Sequence, residues 1–243
     1  MVLRVQHEPQ FPPLIAGHCV AAADPFVVAA KDAASGKAGA GDLYWSDTEL
    51  RLRAAIVLEP EADASHVEAV HLATMVALGD CIGALSPPEV GIFYRWPDKI
   101  CANGAVVGFA RFIAGPKDGE AVPAWLITGV DVSIRAGHRA LEPGRTPDVT
   151  TLWDEGCGSL HLVPLLESFT RHLNTWIHTF EVDGPQPVHE AWLARVEGRG
   201  KTVAVQLGND EHIGTFLGLD ECGDLILKTE RGTELLSLKD ALL

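Results

Sequence analysis

Between positions 95 and 109 the chain turns back on itself within a few residues. Arg95-Trp96-Pro97-Asp98-Lys99-Ile100 reads as a strand end followed by a rigid Trp-Pro turn. Asn103-Gly104-Ala105-Val106-Val107-Gly108-Phe109 reads as a second strand entered through Asn-Gly. A β-prone run precedes this stretch at Val90–Tyr94, and another spans Val106–Ile113. After a turn at 115–119 comes a strongly apolar run, Ala124–Ile134. Strand, turn, strand, turn, strand is the pattern of an antiparallel meander.

Helical patterns flank this centre. Asp24 is placed to cap a helix over 25–34, with Pro25 at its first position. Val67, Val70, His71, Thr74 and Leu78 share one face of a helix over 64–78, with Ser65 as cap and Glu68 three residues on. Leu162, Leu165, Leu166, Phe169, Leu173, Trp176 and Ile177 repeat at helical spacing over 160–177, with Ser159 as cap, and a short helix follows over 189–194. Short strands are expected at 14–20 and 50–58. After Gly198-Arg199-Gly200 the texture changes to short β-prone runs separated by glycine turns. The expected fold is α+β: a mixed β-sheet flanked by helices over 1–198, then a small β-barrel over 199–243.

Charge and cysteine usage bound the function. The 243-residue chain carries a formal net charge of -14, which disfavours nucleic acid or anionic membrane as a partner. No run approaches the roughly 18 apolar residues of a membrane span, and the N-terminus does not read as a signal peptide. Cys19, Cys81, Cys101, Cys157 and Cys222 are odd in number and scattered, which reads as free thiols in a reducing cytoplasm. The ten histidines show no ligand spacing, so no structural zinc is expected. Neither a Walker-type Gly-Lys-Ser/Thr run nor Gly-x-Ser-x-Gly is present.

In chain order, several segments resemble the biotin/lipoate protein ligase family. Trp96 and Pro97 match that family's Lys-Trp-Pro-Asn-Asp, with Arg95 for its lysine and Asp98-Lys99 for Asn-Asp. Asn103 and Gly104 match its Asn-Gly-Lys-Lys motif, but the place of the catalytic second lysine falls on Val106. The glycine-rich loop corresponds to 36–45, where Gly36, Gly39, Gly41 and Trp45 persist and Lys37 stands alone for the arginines. Asp24-Pro25-Phe26 stands where the family has Ser-Thr-Asn, and Gly129-Val130-Asp131-Val132-Ser133 where it has Gly-x-Gly-x-Asn. The tail from Thr202 to Leu238 resembles the SH3-like C-terminal domain of biotin protein ligases, and the N-terminal winged-helix domain is expected to be absent.

The resemblance implies a protein that joins ATP, with Mg²⁺, to biotin, lipoate or another small carboxylic acid. A lysine of a biotinyl or lipoyl carrier domain would then receive the acyl group. With Arg95, Lys99, Arg111 and Lys37 as candidate replacements for the cations the motifs lack here, the expected catalytic residues are Arg95, Asp98 and Lys99. The expected binding residues are Gly36, Lys37, Gly39, Gly41, Trp45, Trp96, Asn103, Gly104, Arg111, Gly129, Asp131 and Ser133. Each has a plainer reading. Asp98 is either a Mg²⁺ ligand or a turn cap. Lys99 and Arg111 are either phosphate-binding cations or ordinary surface charges. By plain alternation Val106 and Arg111 point to opposite faces of their strand unless a bulge intervenes. Two other functions stay open, a non-catalytic ligand- or carrier-binding protein and a structural interaction protein. Whether subunits pair as a homodimer is also open.

Overall fold

The computed structural model describes residues 8–60, 67–116, 122–137 and 148–242. Its main sheet has seven strands: β1 (Ala16–Cys19), β2 (Asp42–Trp45), β3 (Arg51–Leu58), β4 (Ile92–Arg95), β5 (Lys99–Ala102), β6 (Ala105–Ala114) and β7 (Leu126–Ser133). Their order is β1-β2-β3-β7-β6-β5-β4. β1 and β2 run parallel, joined through α1 (Pro25–Ala34), and every other neighbour is antiparallel. The sheet is therefore mixed and contains the meander, with two strands more than the sequence pattern showed. β2 hides behind the glycine-rich loop. β5 is only four residues long, wedged between the Trp96-Pro97-Asp98 loop and Asn103-Gly104. That second turn has positive φ at both central residues, 50° and 92°, which suits a two-residue hairpin whose twist matches its strands. The Trp96–Pro97 peptide bond is cis.

Alternation within the strands divides the faces. Leu52, Ala54, Ile56, Ala110, Val130 and Val132 enter the main core beneath α2 (Ala69–Leu85), α3 (Leu162–Asp183) and α4 (Gln186–Leu193). α2 differs from the expected helix over 64–78. Residues 61–66, including Ser65, lie outside the described residues, Glu68 occupies the cap, and the helix continues through Gly79 and Gly83 to Leu85. Thirteen of its 17 residues are buried, with Gly83 and Ala84 exposed near its end, and at Gly79 packing overrides the poor helix propensity of glycine. α3 begins later than expected, at Leu162, so Ser159 is not its cap. Glu49 instead accepts the Leu162 N–H at 3.3 Å, setting a carboxylate against the positive end of the helix.

On the opposite face α1 covers only one end. Phe26, Ala29 and Ala33 pack on Tyr44, Ala55, Val57 and Ile127. The α1 cap is as the sequence predicts: Asp24 accepts the Phe26 N–H at 2.9 Å. The remainder of this face carries Arg51, Arg53, Asp131 and Lys99 beside Phe109, Val106 and Cys101, and is where the candidate site lies.

The C-terminal strands β8 (Thr202–Leu207), β9 (Asp210–Leu219), β10 (Leu225–Thr229) and β11 (Gly232–Leu236) form an antiparallel sheet in the order β11-β10-β9-β8, followed by α5 (Leu238–Ala241). Among the described residues the ladders leave β8 and β11 as edges, so this is an open sheet where the sequence suggested a barrel. Its buried face, with Phe216, Leu225, Leu227 and Leu236, joins the same core as α2 and Trp192. Residues 195–197 extend along the edge of β4, where Tyr94 donates to the Arg195 carbonyl at 3.1 Å and Glu197 donates to that of Tyr94 at 2.9 Å. No helix among the described residues is long and apolar enough to cross a membrane.

Candidate functional site

Strand register builds a row of side chains across the open face. Arg53 pairs with Asp131, Asp131 with Phe109, Phe109 with Lys99, and Lys99 with Arg95. Directly paired residues project to the same side of a sheet, so the five share one face on five successive strands. The β5–β6 ladder shifts at one point: Ile100 pairs with Gly108 and Cys101 with Val106, leaving Val107 unpaired. This bulge resolves the question of alternation. Val107 turns into the main core, and Val106 joins the face of Phe109 and Arg111.

At the β3 side of the row five charged groups link into a chain. Arg111 donates from Nη1 to both carboxylate oxygens of Asp24, at 3.2 and 3.0 Å. Asp24 faces Arg53 Nη2 at 3.4 Å, and Arg53 Nε faces Asp131 at 3.5 Å. Asp131 in turn accepts from Arg51 Nε at 2.7 Å, with Arg51 Nη2 at 2.6 Å from the same oxygen. The order is Arg111–Asp24–Arg53–Asp131–Arg51, three guanidiniums against two carboxylates. The side chains are partly buried, Asp131 at 20% and Arg53 at 24% exposure. Burial alone would raise the Asp24 carboxyl. The hydrogen bond from Arg111, the Phe26 N–H and the charges of Arg111 and Arg53 outweigh it and hold Asp24 below the usual carboxylate range. Arg51 and Arg53 were not among the sequence candidates. Their signal was the alternation Arg51-Leu52-Arg53 in a strand, which sets both arginines on the face opposite a core leucine.

The candidates named from sequence fall in several places. Arg111 and Asp131 belong to the ionic chain, and Ser133 is paired with Arg51. Gly129 permits close approach of β3, since a Cβ there would overlap the Ala54 carbonyl oxygen. Lys99 is exposed and stands in the row. Asp98 ends the loop before it. Burial pushes its carboxyl above the ordinary value, with Lys99 pulling the other way. Arg95 shares the row but is engaged elsewhere, donating to Glu197 Oε2 and, at 2.6 Å, to the Gly104 carbonyl. Trp96 is buried against the C-terminal sheet, donating from Nε1 to the Gly223 carbonyl at 3.2 Å, and Trp45 is buried in the main core. Asn103 and Gly104 form the hairpin turn, where Asn103 accepts the Gly91 N–H at 3.0 Å and donates to Glu155 at 3.0 Å.

The loop of Gly36, Lys37, Gly39 and Gly41 is tied elsewhere. Gly41 donates to Val57, four residues along β3 from Arg53, and Lys37 is exposed. The structure does not bring Lys37 to the ionic chain. Two clefts lie away from the chain as well, at the junction between the sheets. One is lined by Arg95, Trp96, Glu197 and Phe216, the other by His189, Leu193, Asp220 and Cys222. Among the described residues no group of three or more His, Cys, Asp or Glu side chains is placed to hold a metal ion.

The main sheet thus has α2, α3 and α4 on one side and, on the other, α1 over one end and the ionic chain on the open remainder. The biotin/lipoate A/B protein ligase family model matches residues 11–194. The chain belongs to that family. It is 28% identical over 185 residues, 74% of this chain and 75% of the relative, to a biotin–[acetyl-CoA-carboxylase] ligase of Paracoccus denitrificans. A biotin protein ligase-like protein of unknown function from Silicibacter sp. TM1040 superposes with a TM-score of 0.86 at 32% identity, covering 97% of this chain and all of that one. The biotin protein ligase of Aquifex aeolicus in complex with biotin and ATP superposes at 0.71 with 14% identity, covering 90% and 94% of the two chains, a likeness of fold.

Proposed function

We propose that the protein activates a small carboxylic acid with ATP on the open face of its main sheet and passes the acyl group to a lysine of a carrier domain. A carboxylate oxygen of the acid attacks the α-phosphorus of ATP. The new O–P bond forms as the bond to the β-phosphate breaks, and pyrophosphate leaves. The carrier lysine amine then attacks the acyl carbon, releasing AMP and losing a proton. Both steps gather negative charge that positioned cations stabilise. The observation that carries the reading is the chain of three arginines and two aspartates, which has one surplus positive charge, with Lys99 on the same face beyond Phe109. In this reading Arg53, Arg111 and Lys99 share the work that a single lysine does in the family motif, because Val106 holds that position on the same face. Asp98 would be the carboxylate that meets Mg²⁺ alongside substrate phosphates, and the ion's charge would have to offset the burial that raises its carboxyl. We read the C-terminal sheet, over 199–243, as an SH3-like unit and the setting as cytoplasmic, in keeping with five free cysteines.

Pyrophosphate–ATP exchange with a panel of carboxylic acids tests the reading. Exchange dependent on one acid is the expected result. Calorimetric binding of an acid without exchange would favour the second reading, a non-catalytic binder, for which Val106 in place of a cation is the specific observation.

A further inference from the structure

Resting on the reading that the open face takes a carboxylic acid, we infer that this acid is a dicarboxylate laid along the ionic chain. The lining of the face decides this. At the end covered by α1 the ring of Phe26 is 1% exposed, and the Arg111 guanidinium sits over it at 4.1 Å. From there along β3 and β7 the face is ionic, through Asp24, Arg53, Asp131 and Arg51, whereas Val106, Cys101 and Phe93 form an apolar row on β6, β5 and β4. Phe109 presents a ring, 39% exposed, but stands between Asp131 and Lys99 in its row. An apolar body laid here would strip water from the ion pairs and return no hydrogen bond.

The free capacity of the chain consists of donors. Asp24 is occupied by Arg111, Arg53 and the Phe26 N–H, and Asp131 by Arg51 and Arg53. Each guanidinium has five N–H donors. Among the described residues Arg111 uses only Nη1, Arg53 only Nε and Nη2, and Arg51 only Nε and Nη2. A ligand must therefore bring acceptors and negative charge. An ammonium group would find the carboxylates already taken. Because the chain ends in an arginine at both ends, it offers donors at two separated points. A second carboxylate answers the second point while the first reacts. Lys99, farther along the row, remains for the phosphates of ATP.

Calorimetry on the intact protein settles this with succinate, glutarate and adipate against butyrate, pentanoate, hexanoate and biotin, each repeated with added salt. The expected result is a dicarboxylate bound about tenfold or more tighter than the monocarboxylate of equal length, with the advantage shrinking as salt rises. Arg51→Met should bring the pair to near equality, with circular dichroism showing the fold retained. Equal binding within each pair, tighter binding of biotin, or no binding of any acid would overturn the inference. Pyrophosphate exchange run alongside keeps the two ideas distinguishable. Exchange driven by biotin or a monocarboxylate sinks the dicarboxylate and keeps the ligase, whereas tight dicarboxylate binding with no exchange keeps the ligand class and sinks the ligase.

Discussion

Asp24 is at once the cap of α1 and the bridge between Arg111 and Arg53: one carboxylate accepts the Phe26 N–H at 2.9 Å and Arg111 Nη1 at 3.0 and 3.2 Å. The two roles separate by substitution. Asp24→Asn keeps a good capping side chain and loses the charge, whereas Asp24→Ala loses both. Cap removal typically costs about 0.5–2 kcal/mol, and a half-exposed ion pair adds less than about 1 kcal/mol. Urea unfolding at neutral pH should therefore rank wild type, then Asp24→Asn, then Asp24→Ala. Because the folded carboxyl titrates below its unfolded value, its contribution is present above the unfolded pKa and lost as pH falls through the folded one. Asp24→Asn should flatten the acid limb of the stability profile below about pH 4.

His71 makes a second, opposite kind of pH dependence. It is fully buried in α2, and its Nε2–H donates to the Pro97 carbonyl at 3.1 Å. Its Nδ1 has no partner among the described residues. Burial drives its pKa down to about 4, against a weaker upward pull from the Pro97 carbonyl. The unfolded chain therefore takes a proton that the folded one refuses, and stability drops as pH falls from the unfolded value near 6.5 toward about 4. The loss is on the order of 3 kcal/mol. His71→Met should remove most of this slope. Chemical denaturation of both proteins across that range checks it, and an unchanged slope would count against the buried neutral ring.

Gly79 reverses an ordinary rule. In an exposed helix Gly→Ala stabilises by about 1 kcal/mol. Here a Cβ would overlap the Tyr94 hydroxyl, itself buried, stacked on Trp192 and within hydrogen-bond distance of Arg195. Gly79→Ala should therefore destabilise, by about 1–3 kcal/mol as overpacked cores do. Tyr94→Phe in the same chain removes the overlapping oxygen and should recover part of the loss. Thermal unfolding of the two single variants and the double variant measures the coupling.

What the sequence disclosed follows from range. Asp24-Pro25 and Asn103-Gly104 announce themselves because cap and hairpin turn are settled by neighbouring residues. The repeat from Leu162 to Ile177 likewise marks α3. The bulge at Val107 left no mark, because it depends on how Ile100 and Cys101 register against a different strand. The ionic chain was only half visible. Arg111 and Asp131 could be named, but Asp131 meets Arg51 across 80 positions and Arg111 meets Asp24 across 87. Arg95 shows the converse. It occupies a motif position, yet Glu197, 102 residues away, holds it at the junction with the C-terminal sheet.

Arg53 is the position at which the ionic chain can be tested with least damage to the fold. It lies in the middle, so removing it leaves Asp24 with Arg111 and Asp131 with Arg51, and neither carboxylate is stranded. Arg53→Met keeps the length of the side chain and its packing along β3. It should cost about 1 kcal/mol, near the upper end for exposed pairs, because Arg53 is only 24% exposed while both of its partners keep another arginine. Its effect on chemistry should be far larger, because a positioned donor facing developing charge is worth about 100- to 1000-fold in rate. Arg53→Lys keeps the charge but not the planar fork, and should fall between the two. If acid-dependent pyrophosphate exchange survives Arg53→Met at the wild-type rate, the chain of arginines is scaffolding, and the cation that answers the phosphates must be sought at Lys99 alone.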